Sequence, residues 1–218
     1  MDRHGLSERP AKMRGLKVDE RGYPVPWFVA EIDGKPDFRV MNPVRFVKAI
    51  SQNLCWICGN LMGTQKTFVA GPMCGINRTS AEPPCHLECA RYAAINCPFL
   101  NNPNALRRED DFTRNTLETL GGISIPRNPG VVMLWQTRTC FPFDDGNGKP
   151  LICMGEPFNV EWYRESRLAT REEVIESVES GFPALAAIAR TEPGAMQDLL
   201  DARKQFEKYL PAATSPSH

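Results

Sequence analysis

LCWICGN at residues 54–60 and PPCHLECARYAAINC at residues 83–97 decide how the rest of the chain is read. Cys55 and Cys58 stand two residues apart in a tight turn that ends at Gly59. After 27 residues come His86 and Cys89 in an HxxC spacing. Two thiolates in one turn chelate an ion from the same side. His86 and Cys89 sit three apart on an expected helix and share a face. Three thiolates and an imidazole, offered as two close pairs, suit tetrahedral Zn(II). A knuckle followed by a ligand pair on the first helical turn is a treble-clef-like arrangement. The helix N-terminus favours thiolate there. The metal set expected is therefore Cys55, Cys58, His86 and Cys89, closed and structural, with Cys74 and Cys97 as additional ligands to be considered. Cys85, beside His86, points to another helix face. An iron–sulfur cluster is the alternative, because Cys55, Cys58, Cys74, Cys89 and Cys97 supply enough thiolates.

The chain has 218 residues and eight cysteines, six of them between residues 55 and 97. Disulfide scaffolds are mostly short and secreted. The opening MDRHGLSERPAKMRG lacks the apolar core of a signal peptide. The expectation is therefore a reducing, cytoplasmic setting, in which clustered cysteines more often hold metal. No run approaches 18 apolar residues, so no membrane span is expected. Twenty-six basic residues balance 26 acidic ones, so no global basic field points to nucleic acid.

Residues 1–22 carry six basic and four acidic residues and little apolar periodicity, and read as a mobile arm. Two strands are expected near 26–32 and 37–41, around the turn Asp33-Gly34-Lys35-Pro36. Asn42 as N-cap and Pro43 at the first helical position open a short helix with Val44, Val47 and Ile50 on its apolar face. Lys66–Val69 reads as a strand. A helix follows Pro83-Pro84 and ends at Pro98, and a short one is expected over 112–120 before Gly121. The runs 130–140 and 151–163 form a long antiparallel hairpin around FPFDDGNGKP (141–150). Thr170 and Glu173 make a capping box. Its helix ends at Gly181, Pro183 starts another, and a last one follows Pro193-Gly194, ahead of a disordered tail. The expected fold class is α+β: antiparallel strands and a hairpin, a treble-clef-like zinc segment at 54–100, and a helical C-terminus. The division is an arm at 1–22, a domain at 23–182, and C-terminal helices with a tail at 183–218.

Other chemistry has less support. HNH-type nucleases need a general-base histidine beyond the zinc ligands, and His4 and His218 are badly placed for it. The residues around Cys55-x-x-Cys58 lack the βαβ setting of a thioredoxin-like pair. Asp144-Asp145-Gly146-Asn147-Gly148 has the flavour of a calcium loop but no later bidentate glutamate, and reads as a hairpin tip. No Walker or GxGxxG motif supports a nucleotide cofactor. Trp56, inside the knuckle, is expected to be partly exposed. Charge is uneven: residues 51–108 hold five basic and two acidic residues, residues 151–182 three basic and seven acidic. A basic face with Arg78, Arg91, Arg107 and Arg108 would meet phosphates.

With PWFVAEIDGKPDFRV (26–40), LCWICG (54–59), GPMCGINRTSAEPPCHLECARYAAINCPFL (71–100) and LATREEV (168–174), the chain resembles an uncharacterised family of bacterial, especially actinobacterial, and phage-encoded proteins. The resemblance spans most of residues 24–181. It implies Cys55, Cys58, Cys74, His86, Cys89 and Cys97 as family positions and a phage or mobile-element setting, but no activity. Cys85 stands where the family pattern has serine.

The expected function is a zinc-stabilised, non-enzymatic protein that binds a macromolecule, nucleic acid or a nucleic-acid-handling protein. The alternative is a metal- or thiol-dependent enzyme with an open site around Cys74, Asn77, Arg78, Glu82 and His86. A third reading is an adaptor that docks a partner through its last helix.

Overall fold

The computed structural model describes residues 6–102, 129–144, 146 and 150–213. The helix expected over 112–120, Arg107, Arg108, His4 and His218 lie outside them.

A wholly buried strand organises the fold. β5 (Val132–Thr137) has no polar alternation because both of its faces are covered. It pairs antiparallel with β3 (Lys66–Ala70) on one side and with β8 (Pro157–Arg164) on the other. The β9 stub (Arg167–Leu168) completes a four-stranded sheet in the order β3-β5-β8-β9. Phe68 stands opposite Trp135, and Trp135 opposite Val160. α3 (Leu87–Asn96) packs on β3, β5 and β8. α2 (Pro72–Ile76) packs on β5 and also meets α4 (Arg171–Ala189) and α5 (Ala195–Phe206).

The long hairpin is present but bent. β5 pairs with β8, and beyond the bend β6 (Cys140–Asp144) pairs with β7 (Pro150–Met154) in a second sheet with β4 (Thr79–Ser80). Gly155 permits the bend: a Cβ there would lie 2.1 Å from the Thr139 hydroxyl oxygen. The expected turn over 141–150 is thus shorter than its composition suggests, since 141–144 and 150 belong to strands.

β1 (Val29–Ile32) and β2 (Lys35–Met41) form a separate two-stranded sheet joined by Asp33-Gly34, both in the left-handed region. Lys35 and Pro36, expected in the turn, are strand residues, because two left-handed residues suffice to reverse the chain. α1 (Pro43–Ser51) opens as expected, with the Asn42 side chain accepting from the Val44 and Arg45 N–H groups. Its buried side is different. Phe46 and Ala49 face the core, while Val44 and Val47 are each 62% exposed. The aromatic ring at position 46 has more apolar area to bury than either valine, and it fixes the rotation of the helix.

Two further expectations are corrected. Residues 6–22 are not a free arm: Leu6 and Met13 are buried and Ala11–Met13 forms a 3-10 turn. The C-terminal division at 182/183 is crossed by one helix, since α4 runs unbroken through Gly181 and Pro183. Val174, Val178, Phe182 and Ala186 form a buried stripe at helical spacing that continues past the proline. Burial outweighs the hydrogen bond Pro183 cannot donate.

Candidate metal centre

The segment before β3 folds back on itself as a knuckle. Leu54 bridges Leu61, the Cys55 N–H donates to the Asn60 carbonyl at 2.8 Å, and the Gly59 N–H donates to the Cys55 carbonyl at 2.8 Å. Gly59 has φ 74°, and a Cβ on it would lie 2.7 Å from the Trp27 ring. Glycine is required there on both counts. The Trp56 indole closes the back of the knuckle, stacked on Phe28 at 5.0 Å and edge-on to Phe46 at 5.9 Å. It is buried rather than partly exposed, and its Nε1 has no hydrogen-bond partner among the described residues. The neighbouring Phe28 and Phe46 rings turn this position into core.

The second half of the site is delivered by the turn into α3. The Trp56 N–H donates to the Pro84 carbonyl at 3.1 Å. Thr67 and Cys85 exchange backbone hydrogen bonds of 3.0 and 2.8 Å. These contacts hold His86 as the N-cap of α3 and Cys89 on its first turn, facing the knuckle.

Cys55 Sγ, Cys58 Sγ, Cys89 Sγ and a His86 ring nitrogen lie within 4.8 Å of one another, and all four residues are buried. Nδ1 is the nitrogen that faces the sulfurs, 3.5 Å from Cys58 Sγ. Nε2 is 3.1 Å from the Leu61 carbonyl oxygen, an acceptor that requires the proton on Nε2. Nδ1 is thereby left with a lone pair aimed into the cluster, the outer contact that fixes a metal-binding histidine. Cys55 Sγ accepts from the Cys58 and His86 N–H groups at 3.5 and 3.4 Å, and Cys58 Sγ from the Asn60 amide at 3.5 Å.

The electrostatics fit a cation. Cys58 carries the lowered thiol, held down first by Cys55 and then by Cys89. The Cys58 sulfur in turn pushes Cys55 up to about 11. Cys89 is raised by Cys55, then Cys58, then burial. Three thiols in so small a space do not ionise together unless a cation takes up the charge. A divalent ion does so, and three sulfurs with one imidazole nitrogen form a closed tetrahedral set. The residues present therefore fit a bound metal ion.

Cys74 and Cys97 do not join these four. Cys97 caps the C-terminal end of α3, eight residues from Cys89 and so about 12 Å along the helix. Cys74 lies on α2, where burial pushes its thiol up to about 11. Cys85 turns away and donates from Sγ to the Thr67 carbonyl at 3.2 Å.

Two of the arginines considered for phosphate contact, Arg78 and Arg91, are occupied. Arg78, with φ 57°, pairs with Glu156 at 2.5 Å and lies over the Trp135 ring at 4.9 Å. Arg91 forms a two-pronged pair with Glu161 at 2.8 and 2.6 Å. Of the residues considered for an open site, Arg78 pairs with Glu156 and the His86 ring lies against the Cys58 sulfur.

The spacing alone did not point to the outer contacts. Asn60 follows the CxxCG run directly and could have been suspected. Lys12, whose carbonyl accepts from the Asn60 amide at 3.0 Å, is 48 residues away and carries no local signal. No family model, curated protein or solved structure matches the chain. No helix among the described residues is long and apolar enough to cross a membrane.

Proposed function

We propose that this is a zinc-stapled, non-enzymatic binding protein, in which Cys55, Cys58, His86 and Cys89 hold one Zn(II) in a treble-clef-like site. The observation that carries the reading is the closed set of four buried donors, with the second nitrogen of His86 already committed to Leu61. A four-ligand sphere leaves no position for substrate or an activated water, which favours a structural over a catalytic metal. When bound, zinc would supply a cross-link between the knuckle and the start of α3, on the order of 10 kcal/mol of binding free energy coupled to folding. An iron–sulfur cluster is less favoured, because Cys74 and Cys97 stand apart from the cluster and one of the four donors is an imidazole.

The partner we favour is a macromolecule, nucleic acid or a nucleic-acid-handling protein, in the phage or mobile-element setting that the family resemblance implies. What supports it is the excess of basic residues over 51–108. With Arg78 and Arg91 paired to carboxylates, the charge left for phosphate in this segment is that of Lys66, Arg107 and Arg108.

Metal analysis of the purified protein, together with the salt dependence of DNA and RNA binding, tests the reading. One zinc per chain and an affinity that falls steeply with salt support it. Protein that is folded without zinc contradicts the first half. Binding insensitive to salt contradicts the second.

A further inference from the structure

The N-terminal segment lies along α3 and ends against the metal cluster. At the far end of the helix the Ser7 N–H donates to Asn96 Oδ1 at 2.9 Å, and Asn96 Nδ2 donates to the Ser7 hydroxyl at 2.7 Å. At the near end Lys12 Nζ pairs with Glu88 Oε1 at 2.9 Å; Glu88 stands between His86 and Cys89 in the chain. Met13, beyond it, is 2% exposed. The Asn60 amide then joins the segment to the cluster. One nitrogen, Nδ2, donates both to the Lys12 carbonyl at 3.0 Å and to Cys58 Sγ at 3.5 Å.

The position matters because Cys58 is the least covered of the three cysteines in the cluster. Cys55 and Cys89 are 0% exposed, Cys58 8%. An agent that removes the ion must displace its ligands in turn, and Cys58 and His86, 8% and 7% exposed, are the least covered of the four. Charge points the same way. Three thiolates and a neutral imidazole around a divalent ion leave one net negative charge. The half-exposed Lys12 ammonium is the nearby cation among the described residues that is tied to this corner. Its proton is held first by Glu88 and also by the field of Cys89 and Cys58.

We propose that residues 6–16 act as a strap that caps the metal centre, with Lys12 as its counter-charge, and that the strap sets how fast the ion leaves. The proposal rests on the metal reading above. A strap that only fills a groove would leave the exchange of a metal it does not ligate unchanged, so the rate of exchange separates the two roles.

The test is release of zinc from the full chain to the chromogenic chelator 4-(2-pyridylazo)resorcinol, followed by stopped flow. Asn96→Ala frees the strap at the end opposite the ligands, seven helical residues or about 10 Å from Cys89. Lys12→Gln removes the counter-charge at a half-exposed position without placing a second carboxylate beside Glu88. Each variant should still bind one zinc and release it about 10-fold faster or more than the unaltered protein. Release at the unaltered rate in a zinc-loaded variant overturns the strap while leaving the metal reading intact. If Asn96→Ala does not fold, Lys12→Gln alone decides. An unaltered protein that retains no zinc overturns both, and is told apart by the metal analysis itself.

Discussion

At the scale of residues, the metal centre depends on a few positions that tolerate almost nothing else. Gly59 combines a left-handed backbone with the Trp27 ring 2.7 Å from where a Cβ would sit. Gly59→Ala is expected to cost about 2 kcal/mol or more, through backbone strain and overpacking, read as a lower midpoint in denaturant unfolding of the zinc-loaded protein. Trp56 presents the opposite case. Its indole N–H is buried without a partner, so Trp56→Phe should lie within about 1 kcal/mol of neutral, because the lost ring area is offset by removal of an unsatisfied donor. A loss above about 3 kcal/mol in the same unfolding experiment would show that the N–H is satisfied in solution. That these four side chains come together was legible from spacing, since both pairs are local and each pair shares a turn. Lys12, Asn60 and the Leu61 carbonyl were not. Their roles arise only when the knuckle, the strap and α3 are brought together, and sequence distance hides that.

At the scale of elements, boundaries set by a capping residue were legible and those set by burial were not. Asn42 and Thr170 start their helices where their side chains accept from the helix N–H groups, and the Thr170 N–H donates to the Glu173 carboxylate at 2.9 Å. Thr170→Ala should therefore cost about 1 kcal/mol in denaturant unfolding. Glu173 also receives Arg167, and these contacts hold its carboxyl down to about 2, led by the Arg167 hydrogen bond. The unfolded chain returns it to the ordinary range near 4.5. Its contribution is then complete above about pH 5 and is lost as pH falls towards 2. Glu173→Gln should flatten the acid limb of a stability-against-pH profile, and an unchanged limb would refute this assignment. The composition rules failed where tertiary packing outweighed them. Gly181 and Pro183 read as a helix end, yet the Val174–Val178–Phe182–Ala186 stripe carries α4 through both. Val44 and Val47 read as the buried face of α1, yet Phe46 takes that place.

At the scale of the whole molecule, the α+β class followed from the order of strand-like and helix-like runs, and the hairpin from two apolar stretches around a turn. The split of that hairpin between two sheets did not, because it depends on Gly155 meeting Thr139. The C-terminal segment is a second structure the sequence hides. Trp162 Nε1 donates to the Tyr209 carbonyl at 2.9 Å, Arg171 reaches the Pro211 carbonyl at 2.7 Å, and Tyr209 packs edge-on to Trp135 at 4.9 Å while its hydroxyl bonds Glu156. Tyr209→Ala should cost about 3 kcal/mol by loss of ring packing against the sheet, and should lower the thermal midpoint without altering zinc content. A fall in zinc content would show the two ends of the molecule to be coupled. All of these contacts surround a core whose middle segment, 54–100, converges on one cluster of donors. X-ray absorption at the zinc edge of the purified protein tests that convergence most directly. The account predicts three sulfurs at about 2.3 Å and one nitrogen at about 2.0–2.1 Å. A shell of oxygen and nitrogen alone, or folded protein that carries no zinc, would contradict it.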